Sequence, residues 1–359
     1  MKIVKPRFYD DFGCIADKCT DNCCIGWEID IDPAAMARFG KAEGAFGEKL
    51  RCAIINGEQP TFANTAGERC ALLREDGLCE LVLNMGEGAL CDICALHPRF
   101  FGRYNDIEEA GLGLCCEEVC RLLFSDSSPL SFVEENTEEP SFDNCDEELL
   151  RAVLSAKEQV FALLRDRSLP LGERLRKCAA FVRAAQCSLD NGSTLPENVP
   201  ATAKLTPNER RETVAALLKL LNDGEPLNDE WTKKSSELLS RADELYNALP
   251  RFFEENRGTL WQYEHIAVYF VYRHFLTGAS DWEIVSGMGL AAAAVLSVAL
   301  ADCMTWLDSG SLSEWDRICN VKLYSKQTEY SEEVEQQIRD AFWDIPELDP
   351  EKIAGCVPE

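Results

Sequence analysis

Along this chain the hydrophobic pattern changes character near residue 130. Beyond it, apolar residues return every three or four positions, the period of a helix with one buried face. Leu150, Val153, Leu154, Phe161 and Leu164 share such a face behind Asn144 and Glu147, which read as a capping box, so a long helix is predicted there. Thr206-Pro207-Asn208-Glu209 repeats the start signal with proline in the first turn, and the apolar run from Val214 to Leu221 that follows should stop at Gly224. Residues 229–249 and 260–277 also read as helices, Ser280 and Glu283 open another, and Glu332 to Trp343 gives a last amphipathic one. The spacing predicts an all-α domain over 148–359.

Within it, Ile284 to Ala301 is an uncharged stretch at the lower length limit for crossing a bilayer. Its wealth of Ala, Gly and Ser and its lack of flanking basic residues favour a buried central helix, and no transmembrane segment is expected. Gly287-Met288-Gly289-Leu290-Ala291-Ala292 fits the letter of a dinucleotide-binding pattern. No hydrophobic strand precedes it, so close helix packing is the better account of those glycines.

The first third lacks this order. Trp27 to Ile31 alternates like a short strand, Asp32-Pro33 opens a helix, and the rest reads as loop interrupted by cysteines. Between the parts, Pro129 to Glu147 holds seven acidic residues, two prolines and no lysine or arginine, the composition of a solvated linker. The expected organisation is mainly α: a Cys-rich, loop-rich metal-binding domain over 1–128, an acidic linker over 129–147 and the helical domain. No internal repeat of fixed period is found.

Composition sharpens this division. Of 18 cysteines, twelve precede residue 121. Such density belongs either to a disulfide scaffold in an oxidising compartment or to a thiolate metal site in a reducing one. The N-terminus MKIVKPRFYDDFG has no apolar export segment, which favours the second and a cytoplasmic location. A net charge of -27 repels phosphate backbones and anionic lipid, so nucleic acid is not an expected partner.

The chemistry concentrates in Cys14-x4-Cys19-x3-Cys23-Cys24, then Cys70, Cys79, Cys91-x2-Cys94 and Cys115-Cys116-x3-Cys120. Thiolates select zinc, copper(I) or iron–sulfur groups over hard cations. A zinc ribbon uses two Cys-x2-Cys knuckles, and only Cys91 and Cys94 have that spacing, which tilts the reading toward iron with zinc as the alternative. In such a chain metal must supply folding energy that the sparse core of the first third cannot.

These residues resemble the flagellin lysine-N-methylase (FliB-type) family with its Cys-rich, zinc- or iron-chelating domain. The likeness rests on residues 12–32 (FGCIADKCTDNCCIGWEIDID), Cys70-Ala-Leu-Leu with Gly77-Leu78-Cys79, Met85-Gly86-Glu87, Cys94-Ala-Leu-His-Pro98-Arg99, and Glu109 through Cys116-Glu117. It covers residues 1 to about 125; the helical remainder is similar in length, helix content and the loose pattern Tyr263-Glu264-His265 through Arg273. The resemblance implies S-adenosylmethionine-dependent methylation of lysine on flagellin, with an iron–sulfur cluster, 4Fe-4S by preference, in the cysteine domain.

Carried onto this chain, the implied ligands are Cys14, Cys19, Cys23, Cys24, Cys70, Cys79, Cys94 and Cys116, with Cys91, Cys115 and Cys120 in reserve. Eight exceed what one cubane takes, so either two metal sites exist or some thiols only support the ligands. The x4 first gap departs from the Cys-x3-Cys-x2-Cys run of common radical S-adenosylmethionine enzymes and does not support their mechanism. Tyr263, Glu264, His265, Tyr269 and Tyr272 are candidates for a base or aromatic wall, although that spacing more often marks core. His97 ranks below the cysteines as a ligand, and Glu87 and Arg99 could as easily pair to brace the loops as take part in substrate binding. The competing function is a non-catalytic zinc- or iron-binding module that docks a protein partner.

Overall fold

The computed structural model describes residues 1–202 and 204–359. The protein is mainly helical, organised around the helix Val285–Ser309. Nearly every residue of its first five turns is buried, and neighbouring helices on all sides replace the solvent it avoids. It is long and apolar enough to cross a membrane, yet 89% of its apolar window is packed inside the protein. Both glycines serve that packing. A Cβ on Gly287 would lie 2.9 Å from the Phe275 Cα, and one on Gly289 would lie 2.6 Å from the Phe342 ring.

The helix starts follow their caps. Asp32 accepts from the Ala35 amide ahead of Pro33–Phe39, and Thr206 and Glu209 form a reciprocal box ahead of Pro207–Asp223. Each such cap stabilises its helix by about 1 kcal/mol. The predicted box at Asn144 is displaced: Asp146 is the cap, accepting from the Leu149 amide. Asn144 instead donates to Arg103 O and accepts from the Asn105 amide, tying the chain to a hairpin. Residues 229–249 divide at Arg241 into Asp229–Ser240 and Ala242–Glu255.

A four-stranded sheet was not foreseen: β1 (Lys2–Pro6), β2 (Arg99–Tyr104), β3 (Ile107–Leu112) and β4 (Phe132–Asn136). They form one sheet in the order β2-β3-β1-β4, with β1 parallel to β3 and antiparallel to β4. β4 lies inside the stretch expected to be linker. Its carboxylates are spent on β1, where Lys2 meets Glu134 at 3.1 Å and Lys5 meets Glu135 at 2.8 Å. Trp27 to Ile31 is no strand; Ile29 and Ile31 are buried in alternation, but only an isolated bridge from Asp30 to Thr61 forms.

Packing gathers the core into two clusters. One holds residues between Ile29 and Cys91, the other runs from Tyr104 to Val357 and takes in the sheet side chains Val4, Phe100 and Phe132. The sheet joins the helices through Tyr272, whose hydroxyl donates to Val4 O at 2.7 Å and lies 3.1 Å from Ala110 O. Phe132 stacks on the same ring with centroids 4.4 Å apart. A buried ion pair, Glu109 with Lys157, crosses the same junction.

Candidate metal centre

All eighteen cysteines are free thiols, and the fold sorts most of the N-terminal ones into two groups. The first is built on three turns. Asn22 accepts from the Cys24 amide at 2.9 Å and donates to Gly77 O at 3.2 Å, so one side chain shapes the Cys23-Cys24 turn and ties it to the next loop. The Cys70 amide donates to Cys24 O at 2.9 Å. Gly77, at φ +80°, closes the turn that bridges Leu73 to Cys79, a conformation that favours glycine. Cys91 caps the short helix Asp92–Leu96, which places Cys94 one turn on; Asp32 accepts from the Asp92 amide at 2.9 Å and fixes this turn to the first helix.

Electrostatics join the six thiols. The Cys24 thiol, as hydrogen-bond partner, lowers Cys23 to about 7, and Cys94 does the same for Cys91. The partner thiols Cys24 and Cys94 are pushed far up, first by sharing their protons with those thiolates, then by burial and by the charges of neighbouring thiolates, Cys70 included. Burial raises Cys70, to which Cys79 and Cys91 add. Neighbouring thiolates oppose one another's ionisation here, and a bound cationic group would favour the ionised forms. Among the described residues, however, no three His, Cys, Asp or Glu side chains close on a point in the arrangement that holds a single ion.

The second group lies where the cysteine region meets the helices. Burial pushes Cys115 up to about 11 and Cys116 to about 12, and the Cys120 thiol donates to Leu114 O at 3.1 Å. Cys19 adds its charge to Cys116. Glu117 holds the Cys19 loop by accepting from the Thr20 hydroxyl at 2.7 Å and its amide at 3.0 Å. Asp21 pairs with Lys322, at 3.1 Å, and with Lys326 on the helix Glu314–Glu329.

The eight expected ligands therefore divide. Cys23, Cys24, Cys70, Cys79 and Cys94 join the first group together with the reserve Cys91. Cys19 and Cys116 join the second, and Cys14 is exposed on the preceding loop. Glu87 and Arg99 do not pair: Glu87 is exposed, and the Arg99 guanidinium lies over the Tyr9 and Phe12 rings.

On the helix Trp261–His274 the candidate bases are occupied by structural partners. Glu264 is bound by Arg167 at 2.8 Å and Arg174 at 2.6 Å, and both His265 ring nitrogens lie 2.9 Å from backbone carbonyls. Tyr263 donates to Asp302 at 2.6 Å, and Arg317 and Asn320, each at 2.7 Å, complete that buried carboxylate's shell. Tyr269 belongs to a buried network in which Glu329 receives Arg273 at 2.8 Å and His274 at 3.1 Å.

What the sequence did not signal is a triad of rings between the thiol groups. Trp27, His97 and Tyr330 have centroids 6.0, 6.0 and 6.4 Å apart. The Trp27 indole donates to Cys23 O at 2.7 Å, and Tyr330 feels the charges of both Cys115 and Cys23. Burial, then the nearby Lys326 charge, lowers His97 to about 4, so its imidazole is neutral. Only the three-dimensional meeting of the Cys23 loop, the Cys94 turn and the end of a distant helix reveals this arrangement.

Fold and site define a helical protein with a sheet-docked, thiol-rich metal-binding candidate on one side. The chain belongs to the FliB lysine N-methylase family, whose C-terminal domain model matches residues 157–350. That match falls on the helical part, which the sequence resemblance had covered only loosely. The chain is 24% identical over 144 residues to the flagellar biosynthetic protein FliU of Salmonella muenchen, covering 38% of this chain and 85% of that one. It is 25% identical over 163 residues to lysine-N-methylases of Salmonella choleraesuis and Salmonella typhimurium, covering 40% of this chain and 37% of each. The matched stretch thus spans little over a third of those two enzymes. No solved structure matches.

Proposed function

We propose that this protein is an S-adenosylmethionine-dependent protein lysine N-methyltransferase that acts on flagellin and requires an iron–sulfur cluster, 4Fe-4S by preference. Family membership, together with relatives named for lysine methylation and flagellar biosynthesis, supports the reaction and substrate class. The observation that bears on the cofactor assignment is the first thiol group: free thiols from three turns lie close enough for their charges to act on one another. Zinc and a 4Fe-4S cluster each take four thiolates, and the presence of one Cys-x2-Cys knuckle where a zinc ribbon uses two favours the cluster.

Cys23, Cys24, Cys70, Cys79, Cys91 and Cys94 are the residues that would hold the group. When bound, a cluster supplies electron transfer or a Lewis-acidic iron. The surrounding residues perform the positioning: Asn22 and Asp32 set the ligand turns, and Glu117 and Asp21 fix the Cys19 loop against the helices. Methyl transfer to lysine needs a neutral amine aligned with the methyl sulfonium, so the acceptor must lose its proton in a partly desolvated place.

Protein purified anaerobically, incubated with S-adenosylmethionine and flagellin under reducing conditions, should add 14 Da increments to flagellin lysines, read by mass spectrometry as about one methylene each. Unmodified flagellin in the presence of a fully loaded metal site would reject the enzyme. That result, with zinc as the bound metal, would favour the competing reading of a non-catalytic module that docks a protein partner, for which the Cys91-x2-Cys94 knuckle is the supporting feature.

A further inference from the structure

Trp27, His97 and Tyr330 come from three distant parts of the chain and meet between the two thiol groups. All three are half-buried. Some rings elsewhere in this protein face resident cations: Arg273 stands 4.4 Å from the Phe100 centroid and Arg317 stands 4.5 Å from that of Tyr263. Among the described residues no lysine or arginine stands over any ring of this triad. The Tyr330 hydroxyl is buried, with the Cys115 thiol as its polar neighbour.

We infer that the Trp27–His97–Tyr330 triad receives an organic onium group, the class that includes both a methylated lysine ammonium and a methyl sulfonium. A cation attracted to aromatic faces must lie within about 6 Å of their centroids, and rings spaced as these are can all lie that close to one such group. Tryptophan gives the strongest face, and the neutral imidazole adds no opposing charge. Lys326, whose charge reaches His97, is already paired with Asp21. The choice of ligand class rests on the methyl-transfer reading; the site itself rests on the rings.

Binding is measured by titration calorimetry on the full, anaerobically purified chain with two matched pairs of probes. One pair is S-adenosylmethionine and its uncharged product S-adenosylhomocysteine. The other is Nα-acetyl-Nε-trimethyllysine amide and Nα-acetylnorleucine amide. The charged member of at least one pair should bind about tenfold more tightly, Tyr330→Leu should remove that preference and Tyr330→Phe should keep it. A preference in the sulfonium pair assigns the triad to the methyl donor, and one in the ammonium pair assigns it to the acceptor.

Equal affinities within both pairs would overturn the inference, as would an unchanged preference in Tyr330→Leu protein with native circular dichroism. Should that variant fail to fold, His97→Leu carries the same test. Methylation without charge preference removes the ring site alone; charge preference without methylation removes the proposed activity and leaves the ring site standing.

Discussion

At Cys24 the backbone and the side chain do separate work. The backbone is fixed from two directions, by Asn22 and by the Cys70 amide, while the thiol shares its proton with Cys23. Replacing it leaves the turn intact and removes a donor. Cys24→Ser protein should lose most of its bound iron and sulfide by chemical quantitation, while Cys14→Ser, on an exposed loop, should keep the wild-type content. Equal losses in both would reject the division of thiols described above. Glu109 and Lys157 give a stability counterpart, because both are buried. Lys157→Met strands a carboxylate and should cost about 3–5 kcal/mol in urea unfolding, much of which Glu109→Leu in the same chain should recover.

At the scale of elements, the helices Trp261–His274 and Glu332–Asp344 are joined by a titratable contact. Burial alone would depress His274, but hydrogen bonds to Glu329 and Glu335 outweigh it and raise its pKa. Burial opposes ionisation of Glu335, yet His274 and Arg339 hold it down to about 2. The His274 contribution is complete below the unfolded value near 6.5 and fades as pH rises through the raised one. The Glu335 contribution is complete above about 4.5 and fades as pH falls toward 2. The stability difference between wild type and His274→Gln, from denaturant midpoints, should therefore peak between about pH 5 and 6 and shrink on both sides. A difference that is flat from pH 4 to 9, about the whole accessible range, would contradict this coupling. Gly287→Ala belongs to the same scale: its methyl meets the Phe275 backbone, which cannot yield, and overpacking of this kind costs about 1–3 kcal/mol.

These elements also show what the sequence could and could not express. Helix starts were legible where the signal is local, as at Asp32 and Thr206, and the buried helix at Val285 was legible from composition. The sheet was not. β1 and β4 lie over a hundred residues apart, and the Glu134 and Glu135 that made the segment read as linker are edge-strand charges neutralised by Lys2 and Lys5. Among the thiols, counting could not show that Cys14 is exposed or that Cys91 lies with Cys94 beside the Cys70 turn, because that placement depends on long-range bonds such as Asn22 to Gly77 and Asp32 to Asp92. The ring triad left no local trace at all.

For the whole molecule, two hydrophobic clusters of very different size carry unequal burdens. The small one, between Ile29 and Cys91, includes several cysteines in its packing, so a metal bound by them would stabilise it as well. The large one is built around Val285–Ser309. Chelation under reducing conditions should expose residues 22–97 to limited proteolysis while the fragment beginning near β2 persists, as seen by mass spectrometry of the digest.

The measurement closest to the centre of this account is iron, acid-labile sulfide and zinc quantitation on anaerobically purified protein. The account predicts iron and sulfide together in comparable amounts, lost in Cys24→Ser; stoichiometric zinc with neither iron nor sulfide would contradict it.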